Sequence, residues 1–133
     1  MHAEKIAMAL LTGNAPLLAA VPAASMYPGI VAQGVPLPAV GVSFIDAVEI
    51  ETIDAQAYAL KQARISVTVH AADYPTQKAV LALVRTAMRY QRGVIAGVPV
   101  ASIVGAGDGP DLRDDDPPIY RQSLDFLVTF TEN

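Results

Sequence analysis

The stretch IYRQSLDFLVTFT, Ile119 to Thr131, decides how the rest of the chain must fold. Tyr120, Leu124, Phe126, Val128 and Phe130 fall on one side of an extended backbone, and Arg121, Ser123, Asp125, Thr129 and Thr131 on the other. A period of two, carried by β-branched and aromatic residues, predicts a long half-buried strand. Leu127 interrupts the polar side, so that side need not be fully wetted. The rest of the chain has to supply the sheet this strand joins and the helices that cover its apolar face.

Working outward, the other elements fall into place. Val98 to Val104 reads as a strand, and Ile65, Val67, Val69 and Ala71 alternate with Arg64, Ser66, Thr68 and His70 in a clearer one. Val40, Val42 and Phe44 mark a further strand that can continue through Asp46 into Val48–Ile53, with Ala55–Gln62 as the connection to the next. Between the two pairs lies the main helix, Pro75 to about Gln91, capped by Asp73 or Thr76 and stopped by Gly93. Its apolar stripe is Val80, Leu81, Val84, Ala87 and Met88; Lys78, Arg85, Arg89 and Arg92 lie largely off it. Ala3–Leu11 and a short Asn14-capped segment before Pro22 read as helices. Ala24–Pro38 has too many Pro and Gly breakers for regular structure and reads as an ordered loop. Gly105–Pro118 reads as a long acidic loop, expected to be mobile because its carboxylates repel one another. The order of elements makes an α+β domain: an antiparallel four-stranded sheet with helices packed on one face.

At 133 residues the chain reads as one domain with room for a real core. It is 53% hydrophobic and 17% charged, yet no apolar run nears the length of a membrane span. Its Ala-rich opening, with Glu4, Lys5 and Pro16, does not read as a secretory signal. With no cysteine there is no disulfide, thiolate metal site or Cys nucleophile. A net charge of -4 and a pI near 4.9 argue against a nucleic-acid-binding surface. These features together predict a soluble protein made and used inside a cell.

Chemistry-bearing residues are few. His2 and His70 are the only histidines, and both read as surface residues rather than catalysts. No nucleophile elbow, Walker loop or His-Glu-x-x-His motif occurs. Asp108, Asp111, Asp114, Asp115 and Asp116 could gather oxygen ligands for a divalent cation, but their spacing does not fit an EF-hand loop. The residues alone do not name a function: the acidic loop reads as a solvated hairpin loop or one that orders against a partner, with a metal- or ligand-binding module and a hydrolase drawing its carboxylates from that loop as competing readings.

The segment order narrows the choice. Tyr27-Pro-Gly precedes Gly34-Val-Pro-Leu-Pro; a strand, a helix and an Asp-rich loop follow; and the chain closes on Tyr120-Arg-Gln-Ser-Leu-Asp-Phe. In this order the chain resembles, over nearly its whole length, the tail-completion or tail-terminator proteins of long-tailed bacteriophages and prophages. It departs from them in a longer, more Asp-rich loop and in His70, where an aromatic residue is more usual. The resemblance implies a structural virion protein of the tail-neck region, assembled in the bacterial host cytoplasm. It implies no enzyme, no cofactor and no metal. Its partners would be itself in a homo-hexameric ring, the major tail-tube protein and the head–tail connector proteins. DNA would pass through the ring without specific binding, and no membrane is involved. Another neck protein, such as a head-completion protein or connector adaptor, is the neighbouring alternative. In such a ring the basic helix face (Arg85, Arg89, Arg92) and the acidic loop (Asp111, Asp114, Asp115, Asp116) are natural partners across a subunit contact.

Overall fold

The computed structural model describes residues 2–29, 31, 34–50, 59–115 and 118–132. In chain order these form α1 (His2–Thr12), α2 (Ala15–Ala20), β1 (Met26–Pro28), β2 (Ala39–Ile50) and β3 (Ala59–Ala71). Then follow α3 (Tyr74–Met88), β4 (Gly93–Ile95), β5 (Val98–Asp108), β6 (Leu112–Asp115) and β7 (Pro118–Glu132).

The closing strand is the hub that its sequence predicts. β3 runs antiparallel along one edge of β7, from Tyr120 to Glu132. On the other edge β5 pairs with Leu124–Phe130 and β6 with Pro118–Arg121. β5 and β6 are therefore one strand interrupted at Gly109–Asp111.

This arrangement corrects two expectations. The sheet is not four-stranded and antiparallel: seven strands are described, in the order β1-β2-β3-β7-β5-β4 with β6 also on β7. It is mixed, because β1 pairs with β2 in parallel, Met26 opposite Val40. β1 lies inside the stretch read as an irregular loop; three residues between breakers carry no periodicity to betray a strand. Similarly, the acidic stretch is not one long loop. Gly105–Asp108 end β5 and Leu112–Asp115 form β6, so the mobility expected of it loses its structural basis. Its clustered Asp residues suggest a solvated loop, but backbone pairing with β7 decides its conformation.

The helices pack on one face of the sheet. Ile65, Val67 and Val69 of β3, Leu124, Phe126, Val128 and Phe130 of β7, and Val80, Val84 and Met88 of α3 share one buried cluster with Ile6, Leu11 and Leu17 of α1 and α2. Fully burying each such side chain is worth about 1.5–3 kcal/mol, so this face supplies most of the driving force for folding. Both long-predicted caps form. Asn14 Oδ1 accepts from the Leu17 N–H at 3.0 Å, and Asp73 Oδ1 from the Thr76 N–H at 2.8 Å. The latter bond holds the Asp73 carboxyl below its ordinary range.

α3 ends earlier than Gly93. Arg89 is extended and Tyr90 adopts φ +62°, from where its N–H reaches the Ile103 carbonyl of β5 at 2.8 Å. A backbone bond to the sheet edge thus replaces the last helical turn.

β2 changes character midway. Val40, Val42 and Phe44 lie opposite Val69, Val67 and Ile65, but the register then shifts and Asp46 lies opposite Arg64. Ile45 is the extra residue of a β-bulge. Beyond it Val48 pairs with Gln62 on the face away from the helices, and Phe44 to Glu49 are all exposed. The strand does run through Asp46 as the sequence suggests, while residues 51–58 lie outside the described residues. β3 begins at Ala59, inside what the sequence reads as a connection.

Candidate functional site

Three surfaces carry the polar chemistry of the described residues, and each follows from where the elements place it. The first is the seam between α3 and the interrupted strand β5–β6. Lys78 donates to Asp111 at 2.7 Å and also bonds the Gln122 side-chain oxygen. Its ammonium lies 4.8 Å from the Tyr74 ring centre, and the hydrogen bond to Asp111 raises its pKa. Tyr74 meets Tyr120 edge to face at 6.1 Å, and Arg113 lies over the Tyr120 ring at 5.5 Å. Two turns along the helix, Arg85 pairs with Asp108 at 3.3 Å. Gln122 Nε2 donates to the Gly109 carbonyl at 2.8 Å, tying down the interruption between the two strands. A side chain at Gly109 would meet the Ser123 carbonyl at 3.3 Å, which suits glycine there.

The second surface is the sheet face away from the helices. Arg64 reaches Asp125 through two nitrogens at 3.0 and 2.9 Å and the Ala106 carbonyl at 3.0 Å. Thr68 and Ser123 share a hydrogen bond at 2.7 Å, and Gln62 donates to Thr129 at 3.4 Å. These are cross-strand rungs between β3 and β7. His70 stands at the end of the row, opposite Arg121, which pairs with Asp114 at 3.1 Å. Burial, then the Arg121 charge, push the His70 imidazole below its usual range, against a smaller pull from Asp114. His70 is thus a half-buried member of the row rather than a plain surface residue.

The third surface is the pair of open sheet edges. β1 covers β2 only at Val40–Val42, and β4 covers β5 only at Val98–Val100. A groove of about 390 Å³ lies along the β5 edge, between Tyr90 and Arg92 on one side and Ala101 to Val104 on the other. A second depression, about 350 Å³, separates Arg85 and Arg89 from Gly107, Asp108 and Phe126.

The residues singled out in the sequence divide accordingly. Arg85 meets Asp108, and Asp111 meets Lys78, all within one chain. Asp114 meets Arg121. Arg89 is exposed and lies 5.0 Å from the Tyr90 ring centre; Arg92 is exposed beside the groove. Asp115 takes part in β6 through its backbone, opposite Pro118, and Asp116 lies outside the described residues. Sequence reasoning missed Asp108 as the helix partner and Arg64–Asp125 as a pair; both became visible only with the strand register. Among the described residues no three of His, Cys, Asp and Glu gather as a metal site. None of the described helices is long and apolar enough to cross a membrane.

Comparison with known proteins follows from this geometry. A chain of a solved structure described as the virion of a native gene transfer agent particle shares the fold. Its TM-score is 0.69 at 21% sequence identity, and the match covers 95% of this chain and 92% of that one. A comparison with curated proteins gives no match. The family model for the tail completion protein gp17 matches residues 7–131, spanning both open edges, the helix seam and the polar sheet face. The chain therefore belongs to the tail completion protein gp17 family, structural virion proteins of bacteriophage tails.

Proposed function

We propose that this chain is a tail terminator, a single domain of residues 1–133 that caps the tail tube. It ends elongation and presents the surface that joins the tail to the head connector. Six copies close into a ring on the last ring of major tail-tube protein, in the neck of a virion assembled in the host cytoplasm. The observation that carries this reading is the family match over residues 7–131.

The physics of the chain supports it. Six copies at -4 each give 6 × -4 = -24, a field that lets DNA pass the opening without holding it. The ionic groups of the helix seam and the polar face are matched in pairs, as suits a protein that works by contact rather than by catalysis. Of the basic residues expected at the subunit contact, Arg85 has the intrachain partner Asp108, so Arg89 and Arg92 form the basic half of that contact. Likewise Asp111 and Asp114 act first within the chain.

The test mixes the purified protein with tail tubes that lack a terminator and images the tube ends. Capped tubes that stop growing when tube protein is added are the expected outcome. Tubes that stay bare and lengthen would sink the terminator reading. Binding to connectors but not to tubes would make the chain a different neck protein.

A further inference from the structure

The two open edges sit at opposite sides of one sheet, and they are chemically unlike. On the outer edge of β2, from Ser43 to Ile50, no strand pairs among the described residues. Edges that stay monomeric are normally short, bulged away or defended by charge, since free N–H and C=O groups invite another strand. This one is long, and it is also apolar: Ile45 is 46% exposed and Val48 62% exposed. Its charges, Asp46 and Glu49, are both acidic and both exposed.

The opposite edge is the complement. Beyond Val100 the outer side of β5 has, among the described residues, only the Tyr90 backbone bond to Ile103, and the groove described above runs along it. Tyr90 is 71% exposed and Val94 75% exposed, with Val104 also at the surface. The charge that lines the groove, Arg92, is basic, as is the exposed Arg89 beside Tyr90; the acidic Asp108 at the far end of β5 is paired with Arg85.

We propose that the β2 arm of one copy, through Ile45, Asp46, Val48 and Glu49, docks in the groove at the β5 edge of the next, against Tyr90, Arg92 and Val104. The partner is a second copy of this chain. The contact is heterologous, arm to groove, so each copy keeps one unused half and passes it on until the ring closes. Apolar residues at the centre supply the desolvated area, while the acidic arm and basic groove fix direction and suppress arm-to-arm pairing by like-charge repulsion. This inference rests on the ring reading above and assigns the surfaces that build it.

The chain contains no cysteine, so thiols can be placed at will. Chains carrying Val48→Cys are mixed with chains carrying Val104→Cys, in solution and on tube ends, and treated with a short bismaleimide. The expected result is hetero-linked pairs in roughly tenfold or greater excess over either homo-linked pair, because in a heterologous contact the arm thiol and the groove thiol meet only between unlike chains. A chain bearing both substitutions should yield a ladder ending in one closed species. Equal homo-linked pairs, links to tube protein alone, or no links while the unmodified chain still caps tubes would overturn the contact and leave the terminator reading standing. Failure of the unmodified chain to cap tubes would instead remove the terminator reading. A charge swap supplies an independent readout. Asp46→Arg with Glu49→Arg should abolish the hetero-linked pairs, and adding Arg89→Glu with Arg92→Glu on the groove side should restore them. Loss without restoration counts against the proposal.

Discussion

The two halves of β2 both carry valines and other large apolar residues, yet these meet opposite fates. Ala39, Val40 and Val42 are fully buried, whereas Ile45 and Val48, a few positions on, are exposed. Large apolar side chains stand in both, although only the second half carries charge, at Asp46 and Glu49. The first half has β1 beside it and helices over it; the second, past the bulge at Ile45, has neither among the described residues. An apolar strand therefore states that it can be covered, and the fold of one copy decides whether it is. The uncovered half is the part of this protein that the single chain does not explain.

The largest expected effect breaks or keeps that contrast. Phe126 is buried under α3, and Phe126→Ala should cost about 3–5 kcal/mol in urea unfolding. Val48→Ala, on the arm, should fall within about 0.5 kcal/mol of the parent. A loss above about 2 kcal/mol at Val48 would mean that the arm is packed within the isolated chain.

Much of this was legible in the sequence. Near-continuous alternation in Ile119–Thr131 and Arg64–Ala71 gave the central strands and their faces, and helical spacing in Val80–Met88 gave the apolar stripe of α3. Asn14 announced the start of α2, and Asp73, with Thr76 as the alternative, that of α3. The outer strands were not legible, because β1 and β4 are three residues long and carry no period. Gly105–Asp115 misled for a physical reason: its glycines and aspartates have low strand propensity, and pairing with β7 overrides it. The site fared similarly. Basic helix and acidic segment were seen as partners, but only the register of β5 against β7 reveals that Arg85 and Lys78 find Asp108 and Asp111 in their own chain. Arg89 and Arg92, past the helical turn redirected by Tyr90, are exposed.

A second measurement sharpens the covered half. Gln77 is 1% exposed in α3, and neither side-chain amide atom has a hydrogen-bond partner among the described residues. An unpartnered buried amide costs about 1–3 kcal/mol. Gln77→Met keeps the volume and removes the polar atoms, so it should raise stability by about 1 kcal/mol. An unchanged or lower melting temperature would mean that the amide is satisfied.

The pH dependence asks whether the polar sheet face is as wet as the arm. His70 has its folded pKa lowered, mainly by burial and next by Arg121, with Asp114 opposing. Its contribution is therefore fully present above the unfolded value of about 6.5 and is lost as pH falls through the lower folded value. Stability should decline over that window, and His70→Gln should flatten the decline without changing stability at pH 8. The same slope in parent and variant would place the imidazole in solvent.

The smallest expected effects lie on the rim of the covered half, where two ion pairs of α3 can be compared. Lys78–Asp111 is short, 2.7 Å, and is shared with Tyr74 and Gln122, so several groups hold the ammonium in one place. Arg85–Asp108, at 3.3 Å, joins two exposed side chains with little else to fix them. Exposed pairs are worth about 0.2–1 kcal/mol when geometry is good and nothing measurable when it is not. Double-mutant cycles to alanine should give a coupling of about 0.5–1 kcal/mol for Lys78 with Asp111 and none resolvable for Arg85 with Asp108. Raising the salt concentration should shrink the first further, since the pair is partly exposed. A larger coupling at Arg85 than at Lys78 would reverse the order and make the helix's C-terminal end the tighter clasp on the acidic strand. Arg85 would then be held in its own chain more firmly than Lys78 is.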